Sequence, residues 1–209
     1  MIDVERVGVV SADVTLLQPV SVHLPAGYAL VVRGRNGAGK STLLRVLAGA
    51  RKPSHGTARI GGSIVDSRDR RFRRRVAAMI GLPPTAPDLT VLEHVRLVAA
   101  TWTPHGQEPS VSERELLGEL GLDALVDRFP HELSSGQTQL FGLALVLARP
   151  FDVLLLDEPE QRLDPEHLAM VARILRARRN AGAAVVVATH SAVLADAVGD
   201  RTLQLDRAA

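Results

Sequence analysis

Apolar runs of two kinds divide the chain between predicted strands and predicted helices. Short runs bounded by turn residues predict strands at Val4–Val10, Val20–Leu24, Tyr28–Val32, Thr57–Ile60, Ser63–Val65, Val76–Ile80, Val153–Leu156, Ala183–Thr189 and Thr202–Leu205. The runs at Val153–Leu156 and Ala183–Thr189 are continuous, which is typical of strands buried on both faces of a parallel sheet. Gly61-Gly62 separates two of the short runs and predicts a hairpin turn.

Apolar positions at helical spacing predict the remaining elements. The predicted helices are Ser41–Ala50, Thr90–Trp102, Glu113–Leu120, Asp123–Phe129, Ser134–Leu147, Pro165–Arg179 and Ala192–Val198. Asp164 stands at the N-cap position of one of them, with Pro165 at the first helical position. One apolar stripe is predicted to be core and not a groove for a partner: Leu92, Val95, Ala99 and Trp102. Thr103–Ser110 holds Pro and Gly residues and is predicted to be a loop.

The order of these elements predicts one α/β domain. Strands that alternate with helices form a parallel sheet with helices on its faces. The helix-rich segment 88–150 interrupts this alternation, and we expect it to be a helical subdomain inserted into the core. The core is then formed by residues 1–87 and 151–209, and residues 1–209 make up a single domain.

The composition narrows the class of protein. The chain has 209 residues, 46% hydrophobic and 23% charged, so a folded chain is expected and disorder is excluded. The absence of cysteine excludes disulfides and thiolate metal sites. No apolar run approaches the roughly 20 residues that cross a bilayer, and charged residues at positions 3, 5 and 6 interrupt any signal peptide. We therefore expect a cytoplasmic location, and the net charge of +2 gives no reason to expect nucleic acid as a partner.

A glycine-rich segment between a predicted strand and a predicted helix carries the strongest chemical signal. It reads Gly34-Arg35-Asn36-Gly37-Ala38-Gly39-Lys40-Ser41 and fits the phosphate-binding pattern G-x-x-x-x-G-K-[ST]. Glycines let backbone N–H groups turn toward a phosphate, to which the following helix presents its positive N-terminus. Lys40 is expected to reach the outer phosphates and Ser41 to offer its hydroxyl to Mg²⁺. Thr42 is counted with these nucleotide-binding residues.

A second signal is the pair of carboxylates that ends the apolar run Val153–Leu156. Asp157 and Glu158 follow this run directly, at the end of a strand where α/β sheets bind their ligands. Asp157 is suited to hold Mg²⁺, directly or through water, and Glu158 to orient and polarise an attacking water. On its own the pair would indicate a strand followed by a solvated turn. Downstream of a phosphate-binding loop, it indicates nucleotide hydrolysis.

A third segment, Leu133-Ser134-Ser135-Gly136-Gln137, directly precedes a predicted helix. Ser134 alone would serve as an N-cap. Together with the two signals above, however, the segment makes the chain resemble the nucleotide-binding subunits of ABC transporters. It is similar to their signature L-S-G-G-Q, with Ser135 in place of the first Gly. His190 resembles the family's switch histidine, Glu160–Asp164 its D-loop, and Leu89–Glu93 the stretch that opens its helical subdomain, so the resemblance covers essentially the whole chain.

The resemblance implies a fold, two ligands and a mechanism. The fold is a P-loop NTPase core with an antiparallel β subdomain and an inserted α-helical subdomain, and the ligands are ATP and Mg²⁺. Lys40, Glu158 and His190 are the implied catalytic residues, and Ser41 and Asp157 the implied metal ligands. A second ABC ATPase subunit, identical or paralogous, is expected to close over ATP with its signature. The residues implied at that closure are Ser134, Ser135, Gly136, Gln137 and Asp164. The other implied partner is a separate integral-membrane permease, which would hold the chain at the cytoplasmic face of the membrane.

The chain departs from the family at two places. A glutamine is expected after the strand Val76–Ile80, but Gly81-Leu82-Pro83-Pro84-Thr85 contains none, and proline offers no side-chain oxygen to Mg²⁺ or water. We therefore predict slower or altered ATP hydrolysis. An aromatic residue expected to stack on adenine is also missing from Val7–Asp13, where Val9 or Val10 is nearest. Base stacking contributes on the order of 1–3 kcal/mol, so modest nucleotide affinity is expected.

The arginine-rich segment before Val76 has two interpretations. Its arginines are Arg68, Arg70, Arg71, Arg73, Arg74 and Arg75. We favour a solvated helix leading into a strand over a patch for phospholipid or nucleic acid. Two alternatives for the whole chain also stand: a soluble ABC ATPase that serves no transporter, and a regulatory module that binds nucleotide and scarcely hydrolyses it.

Overall fold

The structure is a computed structural model that describes residues 1–103 and 112–206. Its strands are β1 (Ile2–Ser11), β2 (Val14–Leu24), β3 (Ala29–Arg33), β4 (His55–Ile60), β5 (Ser63–Ile64), β6 (Val76–Met79), β7 (Val153–Asp157), β8 (Ala184–Ala188) and β9 (Arg201–Gln204). Its α-helices are α1 (Lys40–Leu47), α2 (Arg70–Arg75), α3 (Val91–Trp102), α4 (Glu113–Glu119), α5 (Ser135–Leu147), α6 (Pro165–Asn180) and α7 (Ala192–Val198). The loop predicted at Thr103–Ser110 lies outside the described residues except for Thr103.

A parallel sheet of five strands in the order β6-β7-β8-β3-β9 organises the core and confirms the predicted α/β fold. The apolar residues of β7 and β8 are fully buried because one face of these strands packs against helices that include α5 and α6, and the other against α1 and strands β1, β2 and β4. Asp157 pairs with Ala188, and Val32 pairs with Ala188 on its other side. The carboxyl ends of β3, β7 and β8 therefore meet at one edge, where the segments beginning at Gly34, Glu158 and Thr189 leave the sheet.

A second, antiparallel sheet has the strand order β2-β1-β4-β5. The predicted hairpin between β4 and β5 is present, and Gly61 and Gly62 both have positive φ. The sequence prediction for β2 was too short, since the strand begins at Val14 and not at Val20. Its turn with β1 uses Ala12 and Asp13, which adopt φ of 48° and 62° without the glycine that normally marks such a turn. Because β2 is an edge strand, Pro19 does not interrupt it.

The helices between β6 and β7 follow the sequence prediction except at one place. Leu92, Val95 and Ala99 are buried in the core as predicted, whereas Trp102 is only half-buried, and its ring centroid lies 3.9 Å from the Arg149 guanidinium carbon. The prediction of a helix at Asp123–Phe129 is wrong. Only a 3₁₀ turn at Asp123–Leu125 forms there, and a second 3₁₀ turn follows at Pro130–Glu132. The carbonyls of Val126 and Arg128 accept hydrogen bonds from the first turn of α3 and so do not continue a helix.

The arginine-rich segment forms the helix α2 and leads directly into β6, as predicted. The side chains of Arg73 and Arg74 donate to carbonyl oxygens of the chain, and Arg75 forms an ion pair with Asp152. Asp69 caps the helix by accepting a hydrogen bond from the backbone N–H of Arg71. In the part of the chain that the structure describes, no helix is long and apolar enough to cross a membrane.

Candidate functional site

The glycine-rich loop passes from β3 into α1 and depends on its glycines for shape. A Cβ on Gly34 would lie 2.6 Å from the carbonyl oxygen of Leu205, and one on Gly39 would lie 2.6 Å from the carbonyl oxygen of Leu16. Both residues also have positive φ, at 154° and 96°. Side chains at these positions would displace the loop, so the glycines set the path that turns the chain into the N-terminus of α1.

Lys40, the first residue of α1, lies buried beneath this loop. Its ammonium group donates a hydrogen bond of 3.0 Å to the carbonyl oxygen of Gly34 and lies 2.9 Å from Nε2 of His190. A buried ammonium at a helix N-terminus combines with the unpaired backbone N–H groups of the first turn to attract an anion. The loop and Lys40 together therefore form an anion-binding cradle.

The cradle opens into a cavity of about 660 Å³, a size common for small-molecule sites. It is lined by Asp13, Val14, Thr15, Leu16, Asn36, Gly37, Gly39, Lys40, Ser41, Thr42 and Glu158. Arg35 is exposed and Ala38 is buried, and the backbone N–H of Ala38 donates to the carbonyl of Arg35 to close the turn.

One wall of this cavity, formed by the turn before β2 and the start of β2, corrects one sequence prediction. Asp13, Val14, Thr15 and Leu16 form this wall, and not Val9 or Val10. The left-handed turn at Ala12-Asp13 begins β2 early and carries these residues to the cavity. No aromatic side chain is among the described residues that line it.

Asp157 and Ser41 lie together beside the cradle and line a neighbouring cavity of about 450 Å³. Burial raises the pKa of the Asp157 carboxyl, and a hydrogen bond from the Ser41 hydroxyl opposes this shift. A carboxylate and a hydroxyl are the hard oxygen donors that Mg²⁺ prefers, and a divalent cation would relieve the cost of burying the charged carboxylate. The donor set therefore fits Mg²⁺.

The same cavity shows what stands at the position of the missing family glutamine. Ile80, Gly81 and Leu82 line it and bring no carboxamide. Gln139 of α5 and Gln161 line it from other directions, and the sequence analysis missed both. Gln139 is buried and donates to the carbonyl oxygens of Glu158 and Pro159. The only signal in the sequence for either glutamine was the position of Gln161, three residues after Glu158.

Glu158 and His190 meet at this edge of the sheet. The Glu158 backbone has a φ of 49°, and its N–H donates to the carbonyl of Ala188 at 2.8 Å. One carboxylate oxygen of Glu158 lies 3.4 Å from Nε2 of His190, and the other accepts a hydrogen bond from Gln161. Since the same Nε2 contacts Lys40, the three residues predicted to be catalytic form one connected group.

The segment that begins α5 lies apart from this group. The Ser134 hydroxyl accepts from the backbone N–H of Gln137 at 3.3 Å, and the Gln137 side chain accepts from the Ser134 backbone N–H at 2.8 Å. Ser134 and Ser135 are exposed, and the described residues that line the two cavities include none from Ser134 to Gln137. The structure therefore does not bring this segment to Lys40 within one chain.

Gly136 brings the beginning of α5 close to the segment that precedes α6, and Asp164 caps that helix. A Cβ on Gly136 would lie 2.9 Å from the carbonyl oxygen of Arg162. Asp164 caps α6, as predicted, by accepting from the backbone N–H of His167 at 2.9 Å. The same hydrogen bond lowers the pKa of the Asp164 carboxyl. Asp164 lines neither cavity.

The cradle, the sheet order and the strand-end carboxylates define a P-loop nucleotide-binding protein. A family model described as ABC transporter matches residues 17–161. The chain is 38% identical over 192 residues to the cytochrome c biogenesis ATP-binding export protein CcmA of Xanthomonas oryzae pv. oryzae, covering 91% of this chain and 87% of that protein. It is 35% identical over 206 residues to a probable anion import ATP-binding protein of Haloferax volcanii, covering 91% of this chain and 72% of that protein.

Solved structures give the same assignment. A dimeric ATP-binding cassette in a post-hydrolysis state, bound to ADP and phosphate, superposes with a TM-score of 0.85 at 25% identity over 98% of this chain and 94% of that one. The chain belongs to the ABC transporter family, and its relatives are ATP-binding subunits for import or export. The resemblance found in the sequence, the fold and the assignment as an ATP-binding subunit of an ABC transporter are thereby confirmed, and a subunit that serves no transporter is not favoured.

Proposed function

We propose that this chain binds MgATP in its cradle, hydrolyses it with Glu158, and uses the cycle to drive a separate membrane permease. One observation carries the proposal. Lys40, Glu158 and His190 form a connected group beside the cradle, while the exposed segment at the start of α5 has no place at that group within one chain.

The cradle supports binding of a triphosphate. The backbone N–H groups of Gly37, Gly39, Lys40 and Ser41 are proposed to surround the phosphates, and Lys40 would exchange its contact with the Gly34 carbonyl for the outer phosphates. Thr42 and Asn36 border the same cavity. The wall at Asp13–Leu16 faces the rest of the nucleotide and gives a base little to stack on, so we expect modest affinity.

Glu158 is the proposed general base. A water held by its carboxylate attacks the γ-phosphorus and transfers its proton to Glu158 as the bond to the β–γ bridging oxygen breaks, which yields ADP and phosphate. His190 is proposed to contact the γ-phosphate from the side of Lys40. Ser41 and Asp157 would hold Mg²⁺, which neutralises charge on the phosphates when it is bound.

A second subunit would complete the site. The segment from Ser134 to Gly136, whose two serines are exposed, is proposed to close over the ATP of a partner, with the positive end of α5 directed at the γ-phosphate. Gln137 keeps this end ordered through its hydrogen bonds with Ser134. Asp164 would stand beside the closed interface, and the partner is either a second copy or a paralogue.

Two further expectations follow from the sequence. The segment after β6 brings no glutamine to the cavity beside Asp157, so we propose hydrolysis slower than is usual for the family. The permease, which the family implies, would hold the chain at the cytoplasmic face of the membrane, with segment 88–150 as the subdomain near it.

The substitution Glu158→Gln tests the proposed function. It keeps the size of the side chain and removes the base, so we expect MgATP to bind while hydrolysis falls about 100- to 1,000-fold and a dimer accumulates. The matched control is Glu166→Gln in α6, where the side chain is exposed. Hydrolysis assays and analytical ultracentrifugation provide the measurements. A wild-type protein that binds MgATP but hydrolyses none with its permease present would instead indicate the regulatory module.

A further inference from the structure

The carboxylate of Glu160 anchors the segment that carries His190. One of its oxygens accepts hydrogen bonds from the Thr189 hydroxyl, from the backbone N–H of His190 at 3.0 Å and from the backbone N–H of Ser191 at 3.3 Å. Glu160 lies between β7 and α6, whereas Thr189–Ser191 lies between β8 and α7. The side chain therefore joins two segments that leave neighbouring strands at the same edge of the sheet.

Local hydrogen bonds connect the segment Thr189–Ser191 to the first turn of α7. The Thr189 hydroxyl also accepts from the backbone N–H of Ser191 at 2.9 Å, and Ser191 caps α7 by accepting from Leu194 at 3.1 Å. The second oxygen of Glu160 is buried and has no hydrogen-bond partner among the described residues. Burying a carboxylate is costly, and the three hydrogen bonds to its other oxygen are what offsets that cost here.

The His190 side chain depends on this backbone anchor for its place. It is 49% exposed, so packing around the ring does not hold it. Its Nε2 nevertheless lies 2.9 Å from the Lys40 ammonium and 3.4 Å from the Glu158 carboxylate. A small shift of the His190 backbone would move the ring away from both groups.

We propose that Glu160 is a positioning residue for ATP hydrolysis, which fixes the backbone at His190 and thereby aims the imidazole at the γ-phosphate position beside Lys40 and Glu158. The inference rests on the proposed function, because it concerns the same reaction. One oxygen of the Glu160 carboxylate is engaged by the His190 segment and the other is buried, so we expect neither to contact nucleotide or the reacting water. Its loss is therefore expected to change the rate of hydrolysis and to leave binding of MgATP nearly unchanged.

Three variants test this inference. Glu160→Ala removes all three hydrogen bonds, and Glu160→Gln keeps a side-chain oxygen that accepts them without the charge. Glu166→Ala is the matched control, because it deletes an exposed glutamate a few residues away. Each variant is compared with the wild-type chain in three measurements: kcat for MgATP, the Kd for MgATP, and hydrogen exchange at the amides of His190 and Ser191.

For Glu160→Ala we expect kcat to fall about 10- to 100-fold with a Kd within about twofold of the wild-type value. The amide of His190 should exchange at least about tenfold faster, since it loses its hydrogen bond to Glu160, whereas the amide of Ser191 keeps its bond to the Thr189 hydroxyl and should change less. Glu160→Gln should keep most of the rate and of the protection, and Glu166→Ala should resemble the wild type in all three measurements.

Several outcomes would overturn the inference. They are an unchanged kcat in Glu160→Ala, unchanged exchange at the His190 amide, a loss of MgATP binding as large as the loss of kcat, or a Glu160→Gln variant as slow as Glu160→Ala. The failure of the proposed function is a separate result, because it appears in the wild type itself as absent hydrolysis. An active wild type beside a fully active Glu160→Ala variant contradicts only the inference about Glu160.

Discussion

Two helices of this protein present their N-termini in opposite situations. The N-terminus of α1 lies inside the chain's own cavity, with Lys40 buried and the glycine-rich loop folded over it. The N-terminus of α5 is exposed at Ser134 and Ser135 and lines neither cavity. Both carry the backbone N–H groups and the positive helix end that bind anions. The difference is that only α1 has the other parts of a site around it.

This difference is what the proposed site, shared between two subunits, requires. The α5 terminus is already ordered by the reciprocal hydrogen bonds of Ser134 and Gln137, so it does not need a ligand to form. An ordered, exposed anion-binding terminus without its own cavity is suited to complete a cavity elsewhere. Three substitutions test the two termini separately, and they are taken in the order of their expected effects.

Lys40→Ala is expected to have the largest effect, because it removes the positive charge of the lysine at the N-terminus of α1. MgATP affinity should fall about 10- to 100-fold, as expected when a charged hydrogen-bond donor is lost, and hydrolysis should fall by about 100-fold or more. Isothermal titration and a phosphate-release assay give the two values. Lys52→Ala is the matched control, since Lys52 is the only other lysine and is exposed. Equal affinities for the two variants would refute the role of α1.

Gly136→Ala tests the α5 side and should have an intermediate effect. The added Cβ would meet the Arg162 carbonyl at 2.9 Å and displace the start of α5. The MgATP-dependent dimer should weaken about tenfold, whereas binding of MgATP to the monomer should not change. Gly118→Ala is the control, because nothing lies within 4 Å of its Cβ position. Sedimentation in the Glu158→Gln background measures the dimer, and a full-strength dimer would count against α5 as the closing element.

Asp157→Asn should have the smallest of the three effects. It is expected to change the thermal stability of the chain in the absence of metal and nucleotide. Because burial raises the Asp157 pKa in the folded state, the charged carboxylate destabilises the fold increasingly as pH rises above the unfolded value of about 4. At neutral pH the variant should therefore melt about 2 °C higher than the wild type, and the difference should vanish in acid below the unfolded pKa.

The control for this prediction is Asp196→Asn, since Asp196 is exposed on α7. Thermal unfolding in metal-free buffer, followed by circular dichroism, checks both variants. A melting temperature for Asp157→Asn below that of the wild type at neutral pH would contradict this prediction, because it would mean that the charged Asp157 carboxylate stabilises the metal-free fold.

The parts of the fold predicted from sequence were those whose cause is local. The continuous apolar runs of β7 and β8, the Gly61-Gly62 turn and the caps at Asp164 and Ser134 each depend on a few neighbouring residues. The phosphate-binding loop is of the same kind, because its glycines and Lys40 lie in one short segment.

The parts that sequence analysis missed depend on contacts between distant segments. The early start of β2 needs a left-handed turn at Ala12-Asp13, which neither residue type favours strongly. The helix predicted at Asp123–Phe129 does not form because the carbonyls of Val126 and Arg128 accept hydrogen bonds from backbone N–H groups in the first turn of α3. The hydrogen bond from the backbone N–H of His190 to the Glu160 carboxylate joins residues thirty positions apart. The register of β7 with β8 brings these two residues together.

A cross-linking experiment tests most directly whether two subunits share one site. The chain has no cysteine, so Asn36→Cys in one protomer and Ser135→Cys in another introduce a unique pair at exposed positions. A disulfide needs the two Cα atoms within about 7 Å. In the Glu158→Gln background we predict a cross-linked dimer with MgATP, little without it, and none when Lys52→Cys replaces Asn36→Cys. Bound MgATP without a cross-link, or equal cross-linking with and without nucleotide, would contradict the shared site.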